Sequence, residues 1–289
     1  MTTQSPVHII TDSSCDLSDD AVAELGITIV PLEIRFGTET FVDRVELSTA
    51  DFWERCRSDP ELPSTAAPAP GAFAQAYQRA VDAGAPEVVV ITLSGDLSAT
   101  IEAAQQAAGA HAELPCHVVD SRSVSAGLGL IVIAAAELAA NGSSGTEIVD
   151  FVQSVAPRVR IHAALDTLEN LRKGGRIGAA QSLLGSVLSI KPLITVTDGR
   201  VEPAGKQRTR TRALAHLVDL VSTERANIER LAVMHADCAD VDDFVARVAP
   251  LTDAEPEVMM IGPVVGAHTG AGTIGVVFIE REPASVSPE

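Results

Sequence analysis

Short, almost purely apolar runs alternate along the first half of the chain with longer segments whose apolar residues return every three or four positions. VHIITD (7–12) leads into SSCDLSDDAVAELG, where Ser18 or Asp16 is placed to cap a helix that Gly26 ends. EVVVITLS (87–94) precedes SATIEAAQQAAGA, and CHVVDS (116–121) precedes GLGLIVIAAAELAANG. Between them Phe73, Ala76, Tyr77, Ala80 and Val81 share one helical face, closed by Gly84. Strands that read as continuous apolar runs and alternate with helices predict a parallel sheet covered on both faces. Such sheets collect ligands at the carboxyl ends of their strands, here Asp12-Ser13-Ser14, Ser94-Gly95 and Asp120-Ser121.

After about Pro157 the pattern changes. PLITVTDGRVEP sets Asp198-Gly199 between two extended segments, the signature of an antiparallel hairpin with a type I′ turn. Leu214, Leu217, Val218 and Val221 mark a helix, LAVMHA a strand, and Val241, Phe244, Val245 and Val248 a second helix. EVMMIG and TIGVVFIE then read as closing strands. The fold class predicted is α/β in two domains: an N-terminal parallel-sheet α/β domain over 1–157 and a C-terminal mixed α+β domain over 158–282. Residues 283–289 are expected to form a disordered tail, and a ligand cleft is expected between the domains. PSTAAPAPGAF (63–73) is read as a structured loop.

Composition narrows the function classes. The chain has 289 residues, 46% hydrophobic and only 3% aromatic, so its core is aliphatic. A net charge of -18 opposes nucleic acid and anionic membrane surfaces as partners. Cys15, Cys56, Cys116 and Cys238 are too far apart for a zinc or redox pair. The start has no basic segment followed by a long apolar core, and the apolar stretch 126–140 is interrupted by Glu137 and short for a membrane span. A soluble cytoplasmic protein with no integral membrane segment is expected.

Four segments place hydroxyls, glycines or cations where core construction does not need them: Ser64-Thr65, Ser94-Gly95, LRKGGRIG (171–178) and GAHTGAG (266–272). KGGRIG lacks the Walker lysine followed by Ser or Thr, and GAHTGAG follows no βαβ unit with an acidic residue about 20 positions on, so no nucleotide cofactor is expected. The seven histidines form no HxxxH or HxH pair, so no metal is expected either. The glycines at 266, 270 and 272 are expected to serve as turns of positive φ. Ser94 with His268 could serve a stand-alone hydrolase or acyl transferase, although TLSGD is not the G-x-S-x-G elbow.

Of the 21 cations, Arg172, Lys173, Arg176, Lys191, Lys206, Arg208, Arg210 and Arg212 crowd into one stretch. An apolar helix through Leu183, Leu184, Val187, Leu188 and Ile190 is expected beside them. Cations next to an apolar wall suit an anion with a greasy tail.

Taken together, TDSSCDL, PSTAAPAPGAF, ITLSGDLSATIEAAQQAA, VVDSRSVSAGLG, LENLRKGGRIG, LLGSVLSIKPLI, DGRVEPAGKQRTRTRA and the terminal histidine loop resemble the DegV family over nearly the whole chain. The resemblance implies a two-domain protein that binds one long-chain fatty acid in a tunnel between the domains. It implies the role of non-catalytic subunit beside a fatty acid kinase, which transfers phosphate from ATP to the carboxylate and makes acyl phosphate for phospholipid synthesis. Carried over by motif position, Thr65, Ser94, the Gly95 backbone, His268 and Thr269 would hold the carboxylate. Arg176 and Arg208 would be the cations near the head group or the kinase. Leu183, Leu184, Val187, Leu188 and Ile190 would line the acyl tunnel. The chain departs from the family pattern at Ala66, Ala67, Gly95, Ala99 and Ile101, where polar or aromatic groups are usual.

Overall fold

The structure, a computed structural model, describes residues 7–59, 61–110, 114–184, 190–253 and 255–282. In chain order the first half builds β1 (His8–Asp12), α1 (Asp19–Glu24), β2 (Thr28–Val30), β3 (Glu33–Phe36), β4 (Glu39–Val42), α2 (Thr49–Ser58), β5 (Ser64–Ala66) and α3 (Pro70–Asp82). It continues with β6 (Val88–Thr92), α4 (Thr100–Ala110), β7 (Cys116–Asp120), α5 (Ala126–Ala140) and α6 (Gly145–Val155). The second half runs β8 (Val159–Ala164), α7 (Glu169–Lys173), β9 (Lys191–Thr197), β10 (Arg200–Gln207), α8 (Arg210–Glu224) and β11 (Ile228–His235). It closes with α9 (Val241–Val248), β12 (Glu257–Met260), α10 (Pro263–Thr269) and β13 (Ile274–Glu280).

β1, β2, β6 and β7 form the predicted parallel sheet in the order β2-β1-β6-β7. Ile10 aligns with Thr28 on one side and Val90 on the other. Because successive strand residues face opposite ways, Ile10, Val88 and Val90 meet α3 and α4, whereas Ile9, Val89 and Ile91 belong to the main core with α5. Ser18 caps α1 by accepting from the Ala21 amide, and Gly26 and Gly84 follow α1 and α3 at positive φ. Phe73, Ala76, Tyr77 and Ala80 are buried as expected, while Val81 is 42% exposed because the face turns outward at the last turn.

The six-stranded sheet has the order β10-β9-β8-β13-β11-β12, antiparallel except for β11 with β12. Asp198 (φ 49°) and Gly199 (φ 78°) make the β9–β10 turn with both central residues left-handed, as a type I′ hairpin requires. α5 lies between the two sheets, against β1 on one side and β8, β11 and β13 on the other. That position accounts for a helix that is apolar all round. The main hydrophobic cluster is continuous across both halves.

Three local expectations change. Residues 64–66 are a strand, not a loop: β5 pairs with β3 in a small β4-β3-β5 sheet. The apolar helix expected from Leu183 is, where described, a 3-10 turn over Gly178–Leu183 that ends at an exposed Leu184. The turn starts at Gly178 with φ 53°, where any side chain would overlap the Val201 carbonyl of the hairpin. Val187, Leu188 and the tail 283–289 lie outside the described residues. GAHT is the last turns of α10, so Gly266 is helical; it is glycine because a Cβ would sit 2.8 Å from Phe52 and Trp53. Gly270 and Gly272 do take positive φ.

Candidate ligand-binding site

A cavity of about 90 Å³ opens at the seam between the halves. Its walls are mostly aliphatic: Leu93, Leu97 and Val124 from the first half, Ile161, Ile194 and Val201 from the second. Thr65, Arg176, His268 and Thr269 supply polar atoms to the same lining. Leu183, Leu184 and Ile190 are not among the lining residues. Among the described residues the apolar wall comes from strands β8, β9 and β10 and from α10.

α10 positions the histidine. It begins at Gly262, whose amide donates to Asp16 at 2.9 Å, and Trp53 on α2 donates its indole N–H to the Ile261 carbonyl at 3.0 Å. The helix therefore packs on the first half although it belongs to the second. At its other end His268 Nε2 lies 2.9 Å from Thr65 Oγ1 on β5. The imidazole lies over Gly174, where any side chain would overlap it, and Nδ1 is buried without a partner.

Burial holds the His268 pKa down to about 4, assisted by the Arg176 guanidinium. The ring is therefore neutral near pH 7. A buried N–H without an acceptor costs more than an unused lone pair, so the proton belongs on Nε2, which donates to Thr65. The Thr65 hydroxyl hydrogen is then left to donate into the cavity.

Arg176 donates to the Leu97 carbonyl at 3.0 Å and the Gly174 carbonyl at 2.8 Å, bridging the two halves. It has no carboxylate partner among the described residues. Thr269 donates to the Val265 carbonyl at 3.1 Å. Others of the basic run are neutralised, with Lys173 on Glu169, Lys191 on Asp166 and Arg210 on Asp240. Arg208 is exposed and outside the cavity lining.

Ser94 and Gly95 are not in the lining. Ser94 Oγ donates to the Gly199 carbonyl at 2.8 Å, and the Gly95 amide donates to Asp120 at 3.1 Å. Asp12 is likewise consumed, accepting from Ser14 and from the Leu93 amide. With Ser94 on Gly199 and His268 on Thr65, the structure assembles no Ser–His nucleophile pair, and the hydrolase reading loses its support. No group of three or more His, Cys, Asp or Glu is placed to hold a metal among the described residues. No described helix is long and apolar enough to cross a membrane.

A family profile described as "Uncharacterised protein, DegV family" matches residues 6–281. The chain belongs to the DegV family. A DegV domain-containing protein of Deinococcus radiodurans is 39% identical over 277 residues, covering 94% of this chain and 98% of the relative. One from Streptomyces coelicolor is 37% identical, covering 95% and 99%. A Thermus thermophilus structure described as fatty acid binding of a DegV family protein superposes with TM-score 0.87 at 30% identity, covering 95% of this chain and 99% of that one. DegV of Bacillus subtilis, described as a fatty acid binding protein, has TM-score 0.84 at 27% identity, with 95% and 99% covered.

Two residues of this DegV chain that shape the site escaped the sequence reading. Ser125 lines the cavity at φ 56° and donates to Asp16 at 2.5 Å. Asp16, also left-handed at φ 54°, accepts from Gly262 as well, so one carboxylate ties the start of α5 to the start of α10. The signal was an acid at the end of TDSSCD, considered only as a helix cap.

Proposed function

We propose that this chain binds a long-chain fatty acid at the seam and presents its carboxylate to a partner ATP-dependent fatty acid kinase, which forms the acyl phosphate. The observation that carries the reading is the Thr65–His268 pair beside Arg176, at the polar part of an otherwise aliphatic cavity. An amphipathic anion needs this arrangement. Each buried methylene contributes roughly 0.8 kcal/mol, so the walls supply affinity. The carboxylate needs donors to leave water, and the Thr65 hydroxyl and the Arg176 guanidinium offer them. Because His268 is neutral, it orients Thr65 without adding a charge that would have to be desolvated. Ser94 and Gly95 act one step back, holding the hairpin turn and strand ends that frame the cavity. The fatty-acid-binding relatives from Thermus thermophilus and Bacillus subtilis support the ligand class.

The exposed Arg208 is assigned to the kinase contact, in a cytoplasmic pathway toward phospholipid. Organic extraction of the purified protein, followed by mass spectrometry, should release close to one equivalent of fatty acid. Protein free of lipid that also fails to bind added oleate would overturn the binding reading. With a fatty acid kinase and ATP, hydroxylamine should trap an acyl hydroxamate only when this chain is present. Arg208→Glu should lower that yield while leaving retention unchanged, and an unchanged yield would remove Arg208 from the contact.

A further inference from the structure

A second concavity lies on another part of the seam, a groove of about 260 Å³ between the start of α1, the start of α2 and strand β12. Asp16, Asp19, Asp43 and Glu257 line it, with Arg44 as the one cation among its described lining. Arg44 is already committed, donating to the Leu17 carbonyl at 2.8 Å and pairing with Asp19. Asp43 is fully buried, and neither of its carboxylate oxygens completes a hydrogen bond. The Ser13 hydroxyl and the Arg44 amide lie near enough to draw its pKa down, but burial outweighs them and leaves it raised to about 6. A buried carboxylate short of donors is costly until a donor arrives.

The rim of the groove carries the complementary feature. β12 is an outer strand of its sheet, with β11 on one side and no strand on the other among the described residues. Val258 (51% exposed) and Met260 (42% exposed) stand on it, in a chain whose large apolar residues are otherwise mostly covered. An open strand edge with exposed apolar side chains is a template for an added strand. The acidic groove and the net charge of -18 select a basic partner for it.

We propose that this groove receives an arginine side chain from an extended segment of a partner protein, which lays its backbone along the open edge of β12 and brings its guanidinium to Asp43. The planar guanidinium offers five donors to a carboxylate that has none, and its aliphatic stem covers Val258 and Met260. The proposal does not rest on the fatty-acid reading, since it uses none of the cavity's polar atoms.

The test is fluorescence anisotropy on the full-length chain with a labelled acetyl-Thr-Val-Arg-Val-Thr-amide peptide and its citrulline counterpart, which keeps the shape and loses the charge. The arginine peptide should bind saturably, and the citrulline peptide at least about 10-fold more weakly. Asp43→Asn should weaken the arginine peptide by a similar factor. Val258→Lys, at an exposed position that leaves the core untouched, should do the same and keeps the test decisive if Asp43→Asn fails to fold. Equal binding of the two peptides, or no saturable binding at millimolar peptide, overturns the proposal. Free arginine binding as tightly as the peptide overturns it in favour of a small-molecule site. A dimer that Val258→Lys disperses overturns it in favour of a second copy of this chain.

Discussion

The Ser94–Gly199 cluster and the Thr65–His268 cluster are built from the same materials, a hydroxyl, a glycine and a strand end, yet their hydrogen bonding differs. In the first, the Ser94 hydroxyl donates to the Gly199 carbonyl and accepts from the Asp96 amide at 3.2 Å, and Gly95 donates to Asp120. In the second, the one hydrogen bond between Thr65 and His268 leaves a hydroxyl hydrogen and a guanidinium without an acidic partner at the cavity. A polar residue at the carboxyl end of a strand is therefore not a site in itself. Spare bonding capacity facing an apolar space is what distinguishes one.

The sharpest way to break the second cluster is Gly174→Ala. The added methyl overlaps the imidazole, so His268 must leave Thr65, and overpacking of this kind costs typically 1 to 3 kcal/mol, roughly. Fatty-acid retention should fall furthest of all, measured as lipid per protein after extraction. Full retention would show that the Thr65–His268 contact is dispensable. Thr65→Val keeps the shape and removes the donor. A hydrogen bond to a charged group contributes about 1.5 to 3 kcal/mol, so affinity for oleate should drop about 10- to 100-fold, and Thr65→Ser should recover most of it.

Ser94→Ala tests the other side. It strands the Gly199 carbonyl and should cost about 1 to 3 kcal/mol of stability, seen in denaturant melts, with a smaller loss of retention than Thr65→Val. A larger loss at Ser94 would invert the comparison. The last test, which leaves the protein unchanged at neutral pH, is titration. Folded His268 gains its proton near pH 4, while an unfolded histidine does so near 6.5, so between these values the unfolded state holds more protons. The stability this contributes is complete above about pH 6.5 and is lost as pH falls toward 4. A bound carboxylate should raise the His268 pKa, readable as a shifted imidazole titration by NMR; no shift would place the carboxylate elsewhere.

Much of the fold was legible because local chemistry decides it. The Asp198-Gly199 turn, the Ser18 cap and the buried face of α3 depend on residues within a few positions of one another. β3, β4 and β5 were not legible: at three or four residues each they are too short for a period to emerge, and the contacts of Phe36 with Phe41 and with Phe52 of α2 exist only in the folded chain. The 3-10 turn at Gly178–Leu183 was not legible, because the left-handed φ of Gly178 answers to the Val201 carbonyl, which lies far along the chain. Gly266 was misread as a turn of positive φ because glycine disfavours helix, whereas it lets α10 lie on Phe52 and Trp53; Gly270 and Gly272 do turn.

The sequence by itself determined the longer elements, the aliphatic core, the family and the shortlist of polar residues, since propensity, caps and turn chemistry act over one or two helical turns. Tertiary structure alone decided which of those polar residues remain available. Thr65 meets His268 across 203 positions, Ser94 meets Gly199 across 105, and Asp16 meets Gly262 across 246. A hydroxyl or carboxylate exhausts its bonding capacity on whatever lies within about 3 Å, and only the folded chain sets who that neighbour is.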